Sequence, residues 1–484
     1  MRDAFRWVGA LWWRLLGGLG FGRERWNALD RRVRRTVKTV IWLAIGLILI
    51  VIGGSWNSTA LIAAAIVLIV VVAPWDRLPL GQWIVPLIFL VLAVLYPFYY
   101  THLFQSPVFG PAPGMDTMVV MMVFTMMALG LNFVVGYCGL LDLGYVAFYA
   151  LGAYTAGWFA SSQFAGRTIH FGAVGVAPNV PGFHLSIWLI LILAGFATAL
   201  VGVLIGLPTL RLRGDYLAIV TLGFGEIIPQ VANNGDNFFG TGFNLTGGTQ
   251  GITPIDGPGF GNWIHSHIGL PGNYLNLPTD SFYRAFYWTS LVLVLITVFC
   301  SARLRDSKLG RAWIAIREDE IAAAAMGVPL MRTKTWSYAT GAFFGGVAGA
   351  FFASFKSATF PTDFAFNISV FILCMVILGG IGNIPGVIFG ACFLAYLNQE
   401  GLQNIGGWAN THLLPCSGAP APDKVLSGGC VNVPLINFGI FGVILVVVML
   451  LRPEGLIPSR RRAAEFHEGV HDQPLYDVAG PTTG

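Results

Sequence analysis

The chain has 484 residues, of which 55% are apolar and 11% are charged. Soluble domains carry about 25% charged residues, and long apolar runs recur along nearly the whole of this sequence, so a soluble fold is excluded. The formal net charge is +5, but no segment interleaves basic and aromatic residues as nucleic-acid-binding surfaces do, which excludes nucleic acid as a partner.

The chain opens with a basic, amphipathic arm, residues 1–38, which has no cleavage-site pattern and is interpreted as a cytoplasmic interfacial segment. The apolar runs that follow predict an all-α polytopic membrane protein with about 12 transmembrane helices, some of them broken. Those within residues 39–110 carry no polar signal and are predicted to be peripheral. The predicted spans are 39–54, 59–74, 82–100, 116–135, 145–160, 185–207, 216–232, 284–302, 336–355, 367–382, 384–400 and 437–451.

Lysine and arginine predict the orientation of these spans. If the N-terminus is cytoplasmic, all but four of the 28 basic residues fall on the inside, the exceptions being Arg167, Arg284, Lys356 and Lys424. Because cytoplasmic loops are enriched in basic residues, both termini are predicted to lie in the cytoplasm. Residues 111–456 hold the intramembrane polar residues and form the predicted working core, and residues 457–484 form a polar cytoplasmic tail.

Two glycine-rich stretches, 136–157 and 378–397, interrupt the apolar pattern. Short or broken helices at matching positions in two halves are typical of a transport site between repeats, whereas glycine also allows plain close packing of membrane helices. The pair favours broken helices. Asp142 lies in the first stretch, as a residue of the translocation path or as a solvated cap on a helix end, and Asn132 precedes it.

The segment RLRGDYLAIVTLGFGEII, residues 211–228, places one carboxylate inside an apolar run. At about 1.5 Å of helical rise per residue, Glu226 lies roughly 15 Å deep. A charge there costs at least about 2.5 kcal/mol when it faces lipid. Glu226 is therefore predicted to line a polar path, the alternative being a structural carboxylate tied to a neighbouring helix. Thr221, Gly223 and Gly225 are assigned to the same path because they permit close backbone approach.

The predicted outside loops carry two further signals. Loop 233–283 contains no lysine or arginine, and its length predicts a functional or partner-binding surface. Loop 401–436 contains Cys416 and Cys430, which are predicted to form a disulfide in an oxidising periplasm. The other four cysteines fall in or beside spans as small apolar fillers, and no metal site is predicted.

The inside loop 303–335 is the long charged connection of the core. Asp319 is a predicted N-cap, Glu320–Met326 a short helix, Gly327 its C-terminal glycine and Pro329 a stop. A short capped helix with four alanines at 322–325 suits docking into a groove of a soluble partner. The alternative is a solvated surface helix.

Several segments in this order resemble those of LivM-type permease subunits of branched-chain amino acid ABC importers, over about residues 115–456. They are GYCGLLDLGYVAFYALGAYTAG, RLRGDYLAIVTLGFGEI, NLTGGTQGI, GRAWIAIREDEIAAAAMG and the closing RPEGL. The resemblance implies that the loop helix contacts the ATPase subunits. The residues assigned to this coupling are Arg317, Glu318, Asp319, Glu320, Ala322, Ala323 and Gly327.

The resemblance also implies the partners. These are a second, LivH-like permease, two cytoplasmic ATPases and a periplasmic amino-acid-binding protein, with the protein in the bacterial inner membrane. No GxxxxGK[ST] loop is present, so ATP and magnesium are expected on the partner subunits, and the chain is expected to be neither an enzyme nor a cofactor protein. The alternatives are a urea or short-amide ABC importer permease, and an ion-coupled secondary transporter with Glu226 as proton carrier.

Overall fold

The computed structural model describes residues 81–100, 105–106, 110–166, 168–177, 179–211, 214–237, 243–261, 267, 272–412, 426–427, 430–431, 433–451 and 455–456. The basic arm 1–38, the predicted spans 39–54 and 59–74, and the tail 457–484 lie outside these residues. The chain divides into two compact units, Met1–Ser106 and Pro107–Gly484. The described part of the first unit contains helix α1, Gly81–Tyr99, and strand β1, Gln105–Ser106.

The second unit is mainly helical. Its described α-helices are α2 (Met115–Leu131), α3 (Val146–Phe159), α4 (Ile187–Thr209), α5 (Gly214–Asn233), α6 (Thr279–Asp306), α7 (Lys308–Glu318), α8 (Glu320–Ala325), α9 (Leu330–Lys356), α10 (Phe366–Gly379), α11 (Ile384–Tyr396), α12 (Leu402–His412) and α13 (Asn437–Leu451). Each predicted span that falls among the described residues is occupied by one of these helices or by α1. Within the described residues, four helical stretches are long and apolar enough to cross a membrane: Met115–Tyr137, Ile187–Thr209, Thr279–Asp306 and Leu330–Lys356.

Helix α9 is the centre of the second unit and packs against α2, α3 and α4. It begins after Pro329, which cannot continue a preceding helix, and ends at Ser357, whose φ is 54°. Small residues make the close packing possible: a Cβ added at Gly152 of α3 would collide with the backbone of Gly346, and one at Gly346 would collide with Thr198 of α4. Membrane helices associate through this kind of contact, because burial from lipid alone gives no hydrophobic gain.

The glycine-rich stretches coincide with helix breaks. Helix α2 continues as a π-helix, Asn132–Tyr137, and the chain then passes Gly139 (φ 73°) before α3 begins. Helix α10 ends before Gly380 (φ 119°) and Gly382 (φ 80°), which precede α11. Positive φ values of this kind favour glycine. A second π-helix, Leu397–Gly401, follows α11.

The connections of the second unit collect at two ends. At the end that we call the basic end, Arg317 contacts the segment after α2, and Gly382 donates its N–H to Asn132. At the opposite end, the loop end, Ile252 pairs with Thr359, and the Asp256 N–H donates to the carbonyl oxygen of Ala160. Each contact joins segments that the predicted alternation of spans places on the same side of the membrane.

The described chain is mostly helical, as predicted, with a few short strands, most of them at the loop end. Strands β3 (Ala160–Ser161), β4 (Thr168–Phe171) and β5 (Gly182–Leu185) form a sheet in the order β3-β5-β4. β5 runs antiparallel to β3 and parallel to β4, which puts His184 opposite His170. The remaining short strands are β2 (Gly110–Pro111), β6 (Leu426–Ser427) and β7 (Cys430–Val431), of which β6 and β7 pair antiparallel.

Candidate functional site

Helix α5 presents an open face that carries the intramembrane carboxylate. Glu226 is exposed and forms no hydrogen bond or ion pair with any described residue. Tyr216 is 70% exposed and Ile219 65%, and both lie on the same side of the helix, ten and seven residues before Glu226. Within the described residues, no hydrogen bond or ion pair therefore joins Glu226 to a neighbouring helix. The arrangement leaves a carboxylate that something outside the described chain must solvate or contact.

The opposite face of α5 is buried against the segment that leads into α3. The Leu143 N–H donates to the Thr221 hydroxyl at 3.1 Å, and a Cβ on Gly225 would lie 3.4 Å from the Cα of Gly144. The close approach predicted for Thr221 and Gly225 is thus present, and both residues are buried within the chain, so their assignment to the translocation path stays a prediction. Gly223 differs, since a Cβ there would meet no atom within 4 Å.

Asp142 and Asn132 are buried at the basic end. Asp142 is 1% exposed, and its Oδ1 accepts the Gly144 N–H at 2.9 Å. Because it is shielded from water, the expectation of a solvated cap was wrong. Its Oδ2 has no hydrogen-bond partner. Asn132 is also 1% exposed and accepts the Gly382 N–H at 2.9 Å, so it joins the two helix breaks and does not face an open path.

The loop helix α8 forms as its sequence predicts. The Asp319 side chain accepts the N–H groups of Ile321 and Ala322, which caps the N-terminus. At the other end Gly327 has φ 86°, the left-handed conformation expected of a C-terminal glycine. The capping predictions for Asp319 and Gly327 are confirmed. Two large apolar side chains point outward from this short helix, Ile321 at 83% exposed and Met326 at 85%.

The inner side of α8 is attached to the chain itself. Ala323 is 5% exposed and faces inward, whereas Ala322 is exposed, so the assignment of these alanines to ATPase coupling stays a prediction in which Ala322 is the outward-facing one. Glu320 accepts a hydrogen bond from the Lys334 ammonium at 2.7 Å, and the Lys334 side chain is 6% exposed. These contacts anchor α8 on α9, with Glu318 and Asp319 left exposed.

Arg317 points toward the bundle, and its assignment to ATPase coupling stays a prediction. Its Nη1 donates to the carbonyl oxygen of Gly136 at 2.6 Å. Its side chain also lies against Gly139 and Gly382, where an added Cβ would come within 2.8 Å and 3.1 Å of it. Arg317 therefore connects the loop carrying α7 and α8 to both helix breaks.

Helix α7 and the network at the loop end were not predicted. Ser307 caps α7 by accepting the Gly310 N–H, and Trp313 is fully buried, with its indole N–H donating to the Thr333 carbonyl oxygen. The sequence signal for α7 was Ser307 as an N-cap, followed by the apolar residues Trp313 and Ile316 three positions apart. At the loop end His184 and Asp256 form a hydrogen bond of 2.7 Å, for which no local pattern exists.

The described cysteines are of two kinds, disulfide-bonded and free. Cys430 is disulfide-bonded, and Cys138, Cys300, Cys374 and Cys392 are free. Cys416 lies outside the described residues, so its pairing with Cys430 stays a prediction. In the part of the chain that the structure describes, no group of three or more histidine, cysteine or acidic side chains is placed to hold a metal ion.

Comparisons with known proteins give a consistent result. Residues 115–449 match the family described as branched-chain amino acid transport system / permease component. The chain is 34% identical over 389 residues to the high-affinity branched-chain amino acid transport system permease protein LivM of Escherichia coli (strain K12), which covers 79% of this chain and 76% of that protein.

More distant relatives belong to the same class of transporter. A probable branched-chain amino acid transport permease protein LivM of Methanocaldococcus jannaschii is 25% identical over 352 residues, 70% of this chain and 91% of that protein. The permease protein LivH of Salmonella typhimurium is 30% identical over 150 residues, 29% of this chain and 46% of that protein. None of the solved structures matches the chain.

Proposed function

The chain belongs to the family of branched-chain amino acid transport permease components, and from this membership we propose its role in the transporter. It is the membrane-spanning permease subunit of an ATP-driven, binding-protein-dependent importer of branched-chain amino acids. The similarity to LivM proteins over about four fifths of the chain carries the proposal. Neither the urea importer nor the ion-coupled carrier is favoured by these relatives.

The topology that we propose has about 12 spans in the bacterial inner membrane, with both termini in the cytoplasm. The basic end is then cytoplasmic and the loop end periplasmic. This assignment is supported by the positive-inside bias of the sequence. It is also supported by the way that contacts such as Arg317–Gly136 and Ile252–Thr359 each join loops of one predicted side.

The second permease subunit is proposed to cover the open face of α5. A carboxylate at this depth is costly against lipid, and a related subunit on this face would enclose Glu226 in a shared polar path with Gly223. The similarity of this chain to LivH over 150 residues supports a partner of related sequence. The buried residues Thr221 and Gly225 would hold α5 in place and would not touch the substrate.

Two cytoplasmic ATPases, which hold the ATP and magnesium, are proposed to dock on the outer face of α8. Ile321 and Met326 supply exposed apolar side chains on a helix that is capped at both ends. Arg317 then transmits movement of this loop to the breaks after α2 and α10, because it contacts both. A periplasmic binding protein delivers the amino acid at the loop end.

The test is reconstitution of the complete transporter in proteoliposomes, with the second permease, the ATPases and the binding protein encoded by neighbouring genes. Uptake of leucine, isoleucine and valine should require enclosed ATP and loaded binding protein, and urea should not compete. Uptake driven by a proton gradient in vesicles that lack the ATPases would instead establish an ion-coupled carrier.

A further inference from the structure

A cavity of about 280 Å³ opens between α2, α9, α10 and the π-helix Leu397–Gly401. Its wall is apolar and largely aromatic, formed by Val120, Phe124, Phe352 and Phe371 among others. Phe124 and Phe371 meet edge to face, with ring centres 5.5 Å apart. The volume is close to the lower end of the roughly 300–1,000 Å³ that ligand pockets occupy. The cavity is therefore of a size for a single small molecule.

One acidic residue of the cavity lining is paired with a cation beside the cavity. Asp363 lines the cavity, and its Oδ1 accepts a hydrogen bond from the Lys356 ammonium at 2.6 Å. The Lys356 ammonium also lies 6.0 Å from the centre of the Phe352 ring, which belongs to the wall. Polar side chains complete the rim: Thr362, Asn367, Asn398 and Gln399.

The ion pair of Lys356 with Asp363 is held in place, and both side chains have further hydrogen-bonding positions. The Asp363 Oδ2 accepts the Phe360 N–H at 3.2 Å, which fixes the carboxylate on its turn. An ammonium has three donors and a carboxylate about four acceptor positions, so each partner has positions that their mutual bond leaves open. The two side chains are 38% and 18% exposed, so a ligand at the rim can reach both.

This arrangement is complementary to an aliphatic α-amino acid. Asp363 can accept hydrogen bonds from the ammonium of a zwitterion, Lys356 can donate to its carboxylate, and the apolar wall can take a branched side chain. Urea has no charge for either partner. We propose that the cavity is a transient binding site for the imported amino acid on its way in from the loop end. The inference rests on the proposed function and assigns a substrate site within it.

Photo-crosslinking on the complete wild-type transporter is the direct test. A diazirine analogue of leucine should label the wall residues of α2 and α10, and excess leucine should suppress the labelling, whereas urea should not. The phosphatidylethanolamine head group is also a zwitterion, so labelling is compared in nanodiscs with and without this lipid to distinguish it from leucine as the occupant of the cavity. Labelling that is absent, insensitive to leucine or competed by that lipid would overturn the proposal.

Variants then test the charges. Asp363→Asn keeps an acceptor for the Phe360 N–H, and Lys356→Met keeps the aliphatic stem over Phe352. Each should lower leucine uptake at limiting loaded binding protein by roughly tenfold, the effect of losing one hydrogen bond to a charged group. ATP hydrolysis stimulated by the binding protein should remain. Asp280→Asn, at an exposed carboxylate outside the cavity, is the matched control.

The outcomes separate the two proposals. A wild-type complex that neither hydrolyses ATP in response to the binding protein nor takes up leucine would contradict the proposed function, and this site with it. A wild-type complex that transports leucine, together with Asp363→Asn and Lys356→Met complexes that match it at every leucine concentration, would contradict the site alone.

Discussion

The carboxylate of Glu226 lies on an open face of α5, within a predicted span. Its neighbours on that face, Tyr216 and Ile219, are apolar. Asp142, by contrast, is fully enclosed by its own chain and accepts a backbone N–H. The two acids therefore differ in their surroundings: Asp142 accepts a backbone N–H just before α3, and Glu226 is the acid that the proposed partner or path would contact.

Substitution of Glu226 should affect transport and not folding. Glu226→Gln keeps a polar side chain and should slow uptake several-fold, whereas Glu226→Leu should slow it by roughly tenfold or more, equivalent to about 1.4 kcal/mol. Purified complexes would be compared for subunit composition and for uptake in proteoliposomes. Asp236→Asn, an exposed acid just beyond the same helix, serves as the control. Wild-type uptake in both Glu226 variants would remove this residue from the mechanism.

Asp256 gives the loop end a dependence on pH. Burial raises the pKa of this carboxyl above its ordinary value, and the hydrogen bond from His184 opposes the shift. Because the folded pKa is raised, the protonated form is favoured by the fold. Its stabilisation is complete below the pKa of the unfolded chain and is lost as pH rises through the folded pKa.

Asp256→Asn should remove this dependence, since an amide still accepts the His184 N–H but carries no charge. The melting temperature of the variant relative to the wild type should therefore rise between about pH 4 and pH 7. Scanning fluorimetry of the purified complex across this range measures the difference. A constant offset for Asp256→Asn across this range would argue against a raised pKa.

Among the elements, helix α8 is the clearest case of local sequence determining local structure. Its N-cap, its length and its terminal glycine are all specified within nine residues, 319–327. Six residues form too short a helix to be stable alone, so the ion pair of Glu320 with Lys334 and the buried Ala323 hold it on the bundle. The result is a small, rigid platform with an apolar outer edge.

Gly327→Val should weaken that platform through the backbone alone. No atom lies within 4 Å of a Cβ at this position, so the cost arises from φ 86°, which a β-branched residue tolerates poorly. Gly327→Asn should be milder, because asparagine adopts this conformation more readily. ATPase retention on the purified permease pair would be measured for both. Gly407→Val, at another open glycine without positive φ, is the control, and unchanged retention in Gly327→Val would mean that the cap is not needed.

Because Ile321 and not Ala323 lies on the outward face of α8, docking on this face is tested at Ile321. Ile321→Asp places a charge on the exposed edge, so it should detach the ATPases while the thermal stability of the permease stays unchanged. Ala323→Asp buries the charge and should lower both. Co-purification and melting temperature together distinguish them. Normal ATPase attachment in Ile321→Asp would show that the partner binds elsewhere.

Features that depend on neighbouring residues could be predicted from the sequence, whereas contacts between distant residues could not. The spans and the caps of α8 could be predicted because each depends on residues only a few positions apart. Arg317 and Gly136 are 181 residues apart, and Asp256 and His184 are 72 apart. No periodicity encodes such pairs, which exist only after the bundle has formed. For the same reason the open and buried faces of α5, including the burial of Thr221 and Gly225, could not be distinguished beforehand.

The two ends of the molecule also differ in cysteine chemistry. A membrane-impermeant maleimide added to right-side-out vesicles should label Cys416 and Cys430 after reduction and neither before it, because a disulfide leaves no thiol for the reagent. Cys416→Ser should make Cys430 reactive without a reductant. Labelling of both wild-type cysteines in the absence of reductant would disprove their pairing.

If the second permease covers α5 as proposed, a newly inserted copy of this subunit has that face open to acyl chains until its partner arrives. Exposure of the Glu226 carboxylate to lipid then costs at least about 2.5 kcal/mol, and pairing of the subunits removes this cost. On this proposal Glu226 favours pairing of the two permease subunits, and the unpaired subunit is the less stable form. The half-life of the chain expressed without its partner should accordingly lengthen in Glu226→Leu, the same change that impairs transport. One side chain would in this way set both the stoichiometry of the complex in the cell and the passage of its substrate.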